Sequence, residues 1–128
     1  MKSCFLDTCA VVQALAGKQA VTQHLERFDE LLISHVVLGE LIFGCRRSAN
    51  PEREQLRVFT WKASVSVMEA TLKTSELYGN IAADLETRGL RIPQNDIWIA
   101  ALCVQCDLPL VSSDNHFSRP RGLNWISY

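Results

Sequence analysis

With 128 residues, 48% of them apolar, the chain is long enough for one domain with a buried core and too hydrophobic for a disordered tail. Thirteen basic residues against fourteen acidic ones leave a net charge of −1, so RNA or DNA has no general pull on it and any such binding must rest on local patches. No apolar run approaches the roughly 18–20 residues of a membrane span, the opening Met1-Lys2-Ser3-Cys4-Phe5-Leu6-Asp7 lacks a signal-peptide layout, and five cysteines cannot all pair internally; a cytoplasmic protein is the expectation.

Residues 2–6 form a short apolar run that reads as a buried strand with Asp7 at its end. Residues 8–15 read as a helix, and Gly17 suits its stop. A second helix is predicted over 20–28, where Val21, Leu25 and Phe28 recur at helical spacing. Residues 31–33 are a second strand. Residues 36–47 are a helix carrying Glu40, with Arg46 and Arg47 suited to its C-terminal turn. Pro51 fits the first turn of a helix reaching about Trp61. A weak strand at 65–68 precedes a long amphipathic helix over 70–88, ended by Gly89. The helix over 94–106 is apolar without a break from Ile97 through Val104, so it is buried on most sides, and Asp96 opens it. Residues 108–111 are another buried strand, followed by Ser112, Ser113 and Asp114, and 124–127 are the last. Strands alternating with helices predict an α/β domain over 1–128 with a central, mostly parallel sheet.

Four carboxylates carry the chemistry. In open parallel sheets ligands bind beyond the carboxyl ends of the strands, and Asp7 and Asp114 both stand where an apolar strand run stops. Asp96 lies at a helix start, where the dipole favours a negative charge. Glu40 is mid-helix, and its neighbours one turn away, Val36, Val37, Phe43 and Gly44, offer no ion-pair partner. From Ile92 to Ser118 there are three acids and no lysine or arginine. If Asp7, Asp96 and Asp114 converge, their repulsion calls for raised pKa values or a bound cation, and an all-oxygen site suits Mg²⁺ or Mn²⁺. Such a centre hydrolyses phosphodiesters. Taken singly, the acids have plainer readings: Asp96 and Thr8 suit helix caps, and Asp114 with Asn115 suits a turn.

Together these segments resemble the PIN-domain ribonucleases, specifically the VapC-type toxins of bacterial toxin–antitoxin pairs. Phe5-Leu6-Asp7-Thr8 is similar to the first motif of that family. Ser34-His35-Val36-Val37-Leu38-Gly39-Glu40-Leu41 resembles the second. Ile92-Pro93-Gln94-Asn95-Asp96-Ile97-Trp98-Ile99-Ala100-Ala101 resembles the third and is the most specific. Leu110-Val111-Ser112-Ser113-Asp114-Asn115-His116-Phe117 resembles the fourth, with Gly122-Leu123 leading into the last strand. The resemblance implies a three-layer α/β/α fold and a Mg²⁺-dependent endoribonuclease. It implies that Asp7 and Asp96 bind the ion most directly, that Glu40 and Asp114 complete the pocket, and that Ser112 is a polar neighbour. It also implies a homodimer and a VapB-like antitoxin, through which alone DNA would be contacted. Cys9 stands where a small polar residue is common, and Ser112 replaces the more usual Thr.

Other features point elsewhere. Cys103 and Cys106 have redox or zinc spacing, but they fall near a helix end with no second ligand pair, so they read as structural. His24, His35 and His116 share no metal-ligand spacing; His116 lies next to Asp114, where it could touch substrate, though such a residue is more often just a loop histidine. Arg119 and Arg121 follow Asp114 and are candidates for phosphate contacts, whereas Arg46, Arg47, Arg53, Arg57 and Lys62 read equally as solvated surface. Trp61 and Trp98 read as core or dimer contacts. An aspartyl-phosphate phosphotransferase or phosphatase would also place acids at strand ends, with Asp7 attacking. It would want a lysine late in the sheet, and the last one is Lys73. A PIN-like module that only binds RNA or a partner is the third reading.

Overall fold

Five short strands and six α-helices alternate along the chain in a computed structural model that describes residues 1–128. The order is β1 (Ser3–Leu6), α1 (Thr8–Leu15), α2 (Gln19–Leu25), β2 (Glu30–Ser34), α3 (His35–Arg46), α4 (Pro51–Lys62), β3 (Ser66–Met68), α5 (Leu72–Thr87), α6 (Gln94–Cys106), β4 (Leu110–Ser112), a 3₁₀ turn (Asn115–Ser118) and β5 (Trp125–Ser127). All strand pairs are parallel, in the order β3-β2-β1-β4-β5. The first three strands step one way across the sheet. The chain then returns past β1 to lay down β4 and β5 on its other side. Right-handed crossovers therefore put helices on both faces, and the direction of winding reverses between β1 and β4.

The strands at that reversal are the most buried. Cys4, Phe5 and Leu6 of β1 and Leu110 and Val111 of β4 have no exposed surface, which is why they read as unbroken apolar runs rather than alternating ones. The main core gathers these residues with Val11, Ile33, Val37, Leu102 and Phe117. A second cluster joins Ile81 and Leu85 of α5 to Ile97 and Ala101 of α6. Helix α6 thus contributes Ile99, Leu102 and Cys103 to one cluster and Ile97 and Ala101 to the other. Being packed on both sides accounts for its all-round hydrophobicity.

The chain departs from the periodicity in two places. Helix α2 ends at Leu25, three residues before the predicted limit. Asp29 and Glu30 donate their N–H groups to the Lys2 carbonyl at 2.7 and 3.1 Å, so the segment must turn to enter the sheet. Phe28 still packs against the main core, but from the turn. The strand predicted at 108–111 starts at Leu110. Asp107 takes a left-handed φ of 53° after α6, the Leu108 N–H closes that helix end on the Cys103 carbonyl at 3.1 Å, and Pro109 has no N–H to give a ladder. All five cysteines are free thiols, and Cys103 is fully buried. Trp61 packs partly buried on the main core, and Trp98 stacks on Tyr78 with ring centroids 4.1 Å apart. No helix is long and apolar enough to cross a membrane.

Candidate active site

The winding reversal opens a cavity of about 460 Å³ beyond the carboxyl ends of β1 and β4. Asp7, Thr8, Cys9, Glu40, Asp96 and Asp114 line it, with Pro93, Gln94 and Asn95 at the start of α6. All four predicted carboxylates meet there, each delivered by a different element. No lysine or arginine is among the lining residues.

Asp7 follows β1 directly and is the N-cap of α1, its Oδ1 accepting the Ala10 N–H at 2.9 Å. Its Oδ2 accepts the Ser112 hydroxyl at 2.6 Å. Ser112 Oγ in turn accepts the Asp114 N–H at 3.0 Å, so one buried hydroxyl, the last residue of β4, links two of the acids. Asp7 is only 5% exposed and has no cationic partner. Burial raises its pKa, the Ser112 and Ala10 hydrogen bonds pull the other way, and Asp114 and Glu40 push it up again by repulsion.

Glu40 projects from α3, whose N-cap is Ser34. The Thr8 hydroxyl donates to its Oε1 at 2.7 Å. Thr8 is therefore an orienting group and not a helix cap; Asp7 does the capping. Asp96 stands three residues into α6, whose N-cap is Pro93. Its pKa is raised from 3.8 to about 6, chiefly by burial; a hydrogen bond from His116 opposes this, and the Asp114 charge reinforces it. Asp114 lies two residues beyond β4 and caps the 3₁₀ turn, accepting the His116 N–H at 2.9 Å.

His116 is the residue that sequence reasoning undervalued. Its Nδ1 lies 3.2 Å from Asp114 Oδ1 and 3.4 Å from Asp96 Oδ2. The signal was local: two residues after Asp114 and one before Phe117, which is 1% exposed and anchors the turn. The two arginines lie apart from the cavity. Arg119 Nη1 donates to the Arg91 carbonyl at 2.9 Å, and its own carbonyl accepts from Arg88. Arg121 Nη1 sits 3.6 Å from Asp84 Oδ1, with its side chain 74% exposed. Both tie the loop after the 3₁₀ turn to the end of α5.

Partly buried carboxylates concentrated in a cavity without lysine or arginine form a donor set suited to a hard divalent cation, which relieves both the repulsion and the burial cost. A family model described as the PIN domain matches residues 4–123. Ribonuclease VapC2 of Haemophilus influenzae strain Rd is 30% identical over 129 residues, spanning 94% of this chain and 96% of that protein. Ribonuclease VapC4 of Mycobacterium tuberculosis is 31% identical over 91 residues, 67% of this chain and 68% of its own. A chain in the crystal structure of VapBC2 from Rickettsia felis, bound to a DNA fragment from their promoter, superposes with a TM-score of 0.91 at 25% identity and 98% coverage of both chains. On a match that runs through nearly every element from β1 to the approach of β5, the chain belongs to the PIN domain family, on its VapC ribonuclease branch.

Proposed function

We propose that this protein is a divalent-metal-dependent endoribonuclease, using Mg²⁺ or Mn²⁺, and the toxic member of a toxin–antitoxin pair. The observation that carries the reading is the cavity itself: four carboxylates from four elements and no basic side chain among its lining residues. A divalent cation bound by Asp7, Asp96, Asp114 and Glu40 would polarise a phosphoryl oxygen and acidify a water. Asp7 is held by two hydrogen bonds and keeps a fixed orientation. Thr8 holds Glu40 by Oε1, which leaves Oε2 to accept a proton from the attacking water. The attacking water would add to phosphorus as the bond to the leaving oxygen breaks, and that oxygen would take its proton from solvent. Ser112 positions Asp7 and Asp114 together. Outside the cavity, Arg121, exposed although it lies beside Asp84, is a better candidate for an RNA phosphate than Arg119, whose guanidinium donates to the Arg91 carbonyl.

The same reading assigns the protein to the cytoplasm with its RNA. It gives the protein a VapB-like antitoxin, a homodimeric state and DNA contact only through that antitoxin. Complexes named VapBC among the structural relatives, two of them bound to DNA, support the antitoxin and its contact with DNA. The phosphotransfer alternative is weakened by the lining of the cavity, which offers no lysine to hold a phosphoryl group beside Asp7. The test is cleavage of labelled RNA by the purified protein. Cleavage that stops with chelator, resumes with Mg²⁺ or Mn²⁺ and falls by about a hundredfold or more in Asp7→Asn supports the reading. Cleavage undiminished by chelator or by that substitution overturns it.

A further inference from the structure

The 3₁₀ turn sets an imidazole nitrogen against two of the cavity's carboxylates, and nothing in the proposed chemistry uses it. The turn is rigid: Asp114 Oδ1 accepts the His116 N–H at 2.9 Å, its carbonyl accepts the Phe117 N–H at 3.2 Å, and Phe117 is locked in the main core. His116 Nδ1 therefore stands at a defined place, 3.2 Å from a carboxylate oxygen of Asp114 and 3.4 Å from one of Asp96. Ligating atoms of these three residues all lie within 4.8 Å of one another.

The spacing distinguishes two roles. A charge-assisted hydrogen bond to a carboxylate runs about 2.7–2.9 Å, and His116 makes neither contact that short. Two donors that share one ion, each about 2.0–2.2 Å from it, stand roughly 2.9–3.5 Å apart for angles between about 90° and tetrahedral. Both His116 distances fall in that interval. The nitrogen is near-equidistant from two acids on different elements, as a co-ligand would be, and its contacts with both are long.

We propose that His116 donates Nδ1 to the divalent ion beside Asp96 and Asp114, and that this nitrogen tilts the site toward Mn²⁺ over Mg²⁺. The inference rests on the reading of the acidic cavity as an ion site. Carboxylates and carbonyl oxygens suit Mg²⁺, Ca²⁺ and Mn²⁺ alike, whereas imidazole is a borderline donor that Mg²⁺ accepts poorly and transition ions accept well. One nitrogen in an otherwise oxygen site is thus a selectivity element.

The full chain loaded with Mn²⁺ tests this by pulsed electron paramagnetic resonance, together with calorimetric titration of Mn²⁺ and Mg²⁺ separately. A ¹⁴N coupling is expected in the wild type, replaced by a ¹⁵N coupling when histidine is ¹⁵N-labelled and absent from His116→Asn. In that variant Mn²⁺ affinity is expected to fall by about tenfold or more, with Mg²⁺ affinity within about threefold of wild type. Should that variant not fold, labelled His24→Gln and His35→Gln proteins assign the signal, which both must retain. Mn²⁺ bound to the wild type without a histidine coupling, or a coupling that survives in His116→Asn, overturns the inference and leaves the acidic site standing. No Mn²⁺ binding by the wild type, or binding unaffected by Asp96→Asn, removes the ion site itself and the inference with it.

Discussion

Replacing Asp96 by Asn is expected to stabilise the ion-free protein at neutral pH while removing much of its affinity for a divalent ion. The Asp96 carboxyl is raised from 3.8 to about 6, chiefly by burial, and its side chain is only 18% exposed. A rise of that size corresponds to a penalty of about 3 kcal/mol on the ionised form. Against it stands the favourable position in the first turn of α6, worth about 0.3–1 kcal/mol to an anion, which Asn forfeits. The net gain for the variant is about 2–2.7 kcal/mol at pH 7.5, or a Tm higher by about 6–13 °C. The folded state of the wild type holds this proton more tightly than the unfolded state does. The stabilisation it brings is therefore complete below 3.8 and lost as pH rises through about 6. The two proteins should melt alike near pH 4 and diverge above it. Calorimetric melts in chelator from pH 4 to 8 measure the divergence. Adding Mn²⁺ should then raise the wild-type Tm and leave the variant nearly unchanged. A variant that melts at or below wild type at pH 7.5 in chelator would refute the claim that the cavity strains its carboxylates.

Ser112→Ala strips a buried acceptor, Asp7 Oδ2, and the Asp114 N–H of their shared partner; a loss of about 1–3 kcal/mol in urea titration is expected, whereas Ser112→Thr should stay near wild type. Thr8→Val frees Glu40 without emptying the cavity, so RNA cleavage should drop about tenfold with stability held within about 1 kcal/mol, and unchanged cleavage would show that Glu40 needs no orienting hydroxyl. Asp107→Gly relieves the exposed left-handed residue after α6 and should add about 0.5–1 kcal/mol while cleavage is unaffected, with Asp107→Ala moving stability the opposite way.

The elements were legible where local signals coincide with burial. The span of α1 follows from the strand that stops at Asp7 and from Gly17, which turns with φ of 72°. Helix α6 announces itself by an unbroken apolar run opened by Asp96, and its role between two clusters explains why that run shows no polar face. Misreadings arose where a tertiary contact overrode periodicity. Phe28 has helical spacing but sits in a turn imposed by the Lys2 carbonyl. The strand ends told that Asp7 and Asp114 share the functional rim, because winding reverses between the strands they follow. Hydrogen bonds across long separations left no such trace. Thr8 to Glu40 spans 32 residues and Ser112 to Asp7 spans 105, so single-sequence periodicity holds no record of them. His116 escaped for a related reason, since its importance depends on Asp96 arriving from another helix.

The central claim is that acids distant in sequence gather around one divalent ion. Diffraction from crystals of the protein grown with Mn²⁺, recorded at the manganese absorption edge, tests it without reference to activity. An anomalous peak in the cavity, within coordination distance of Asp7 and Asp96, is the predicted result. A peak on another surface, or none while Mn²⁺ saturates the protein in solution, would contradict it.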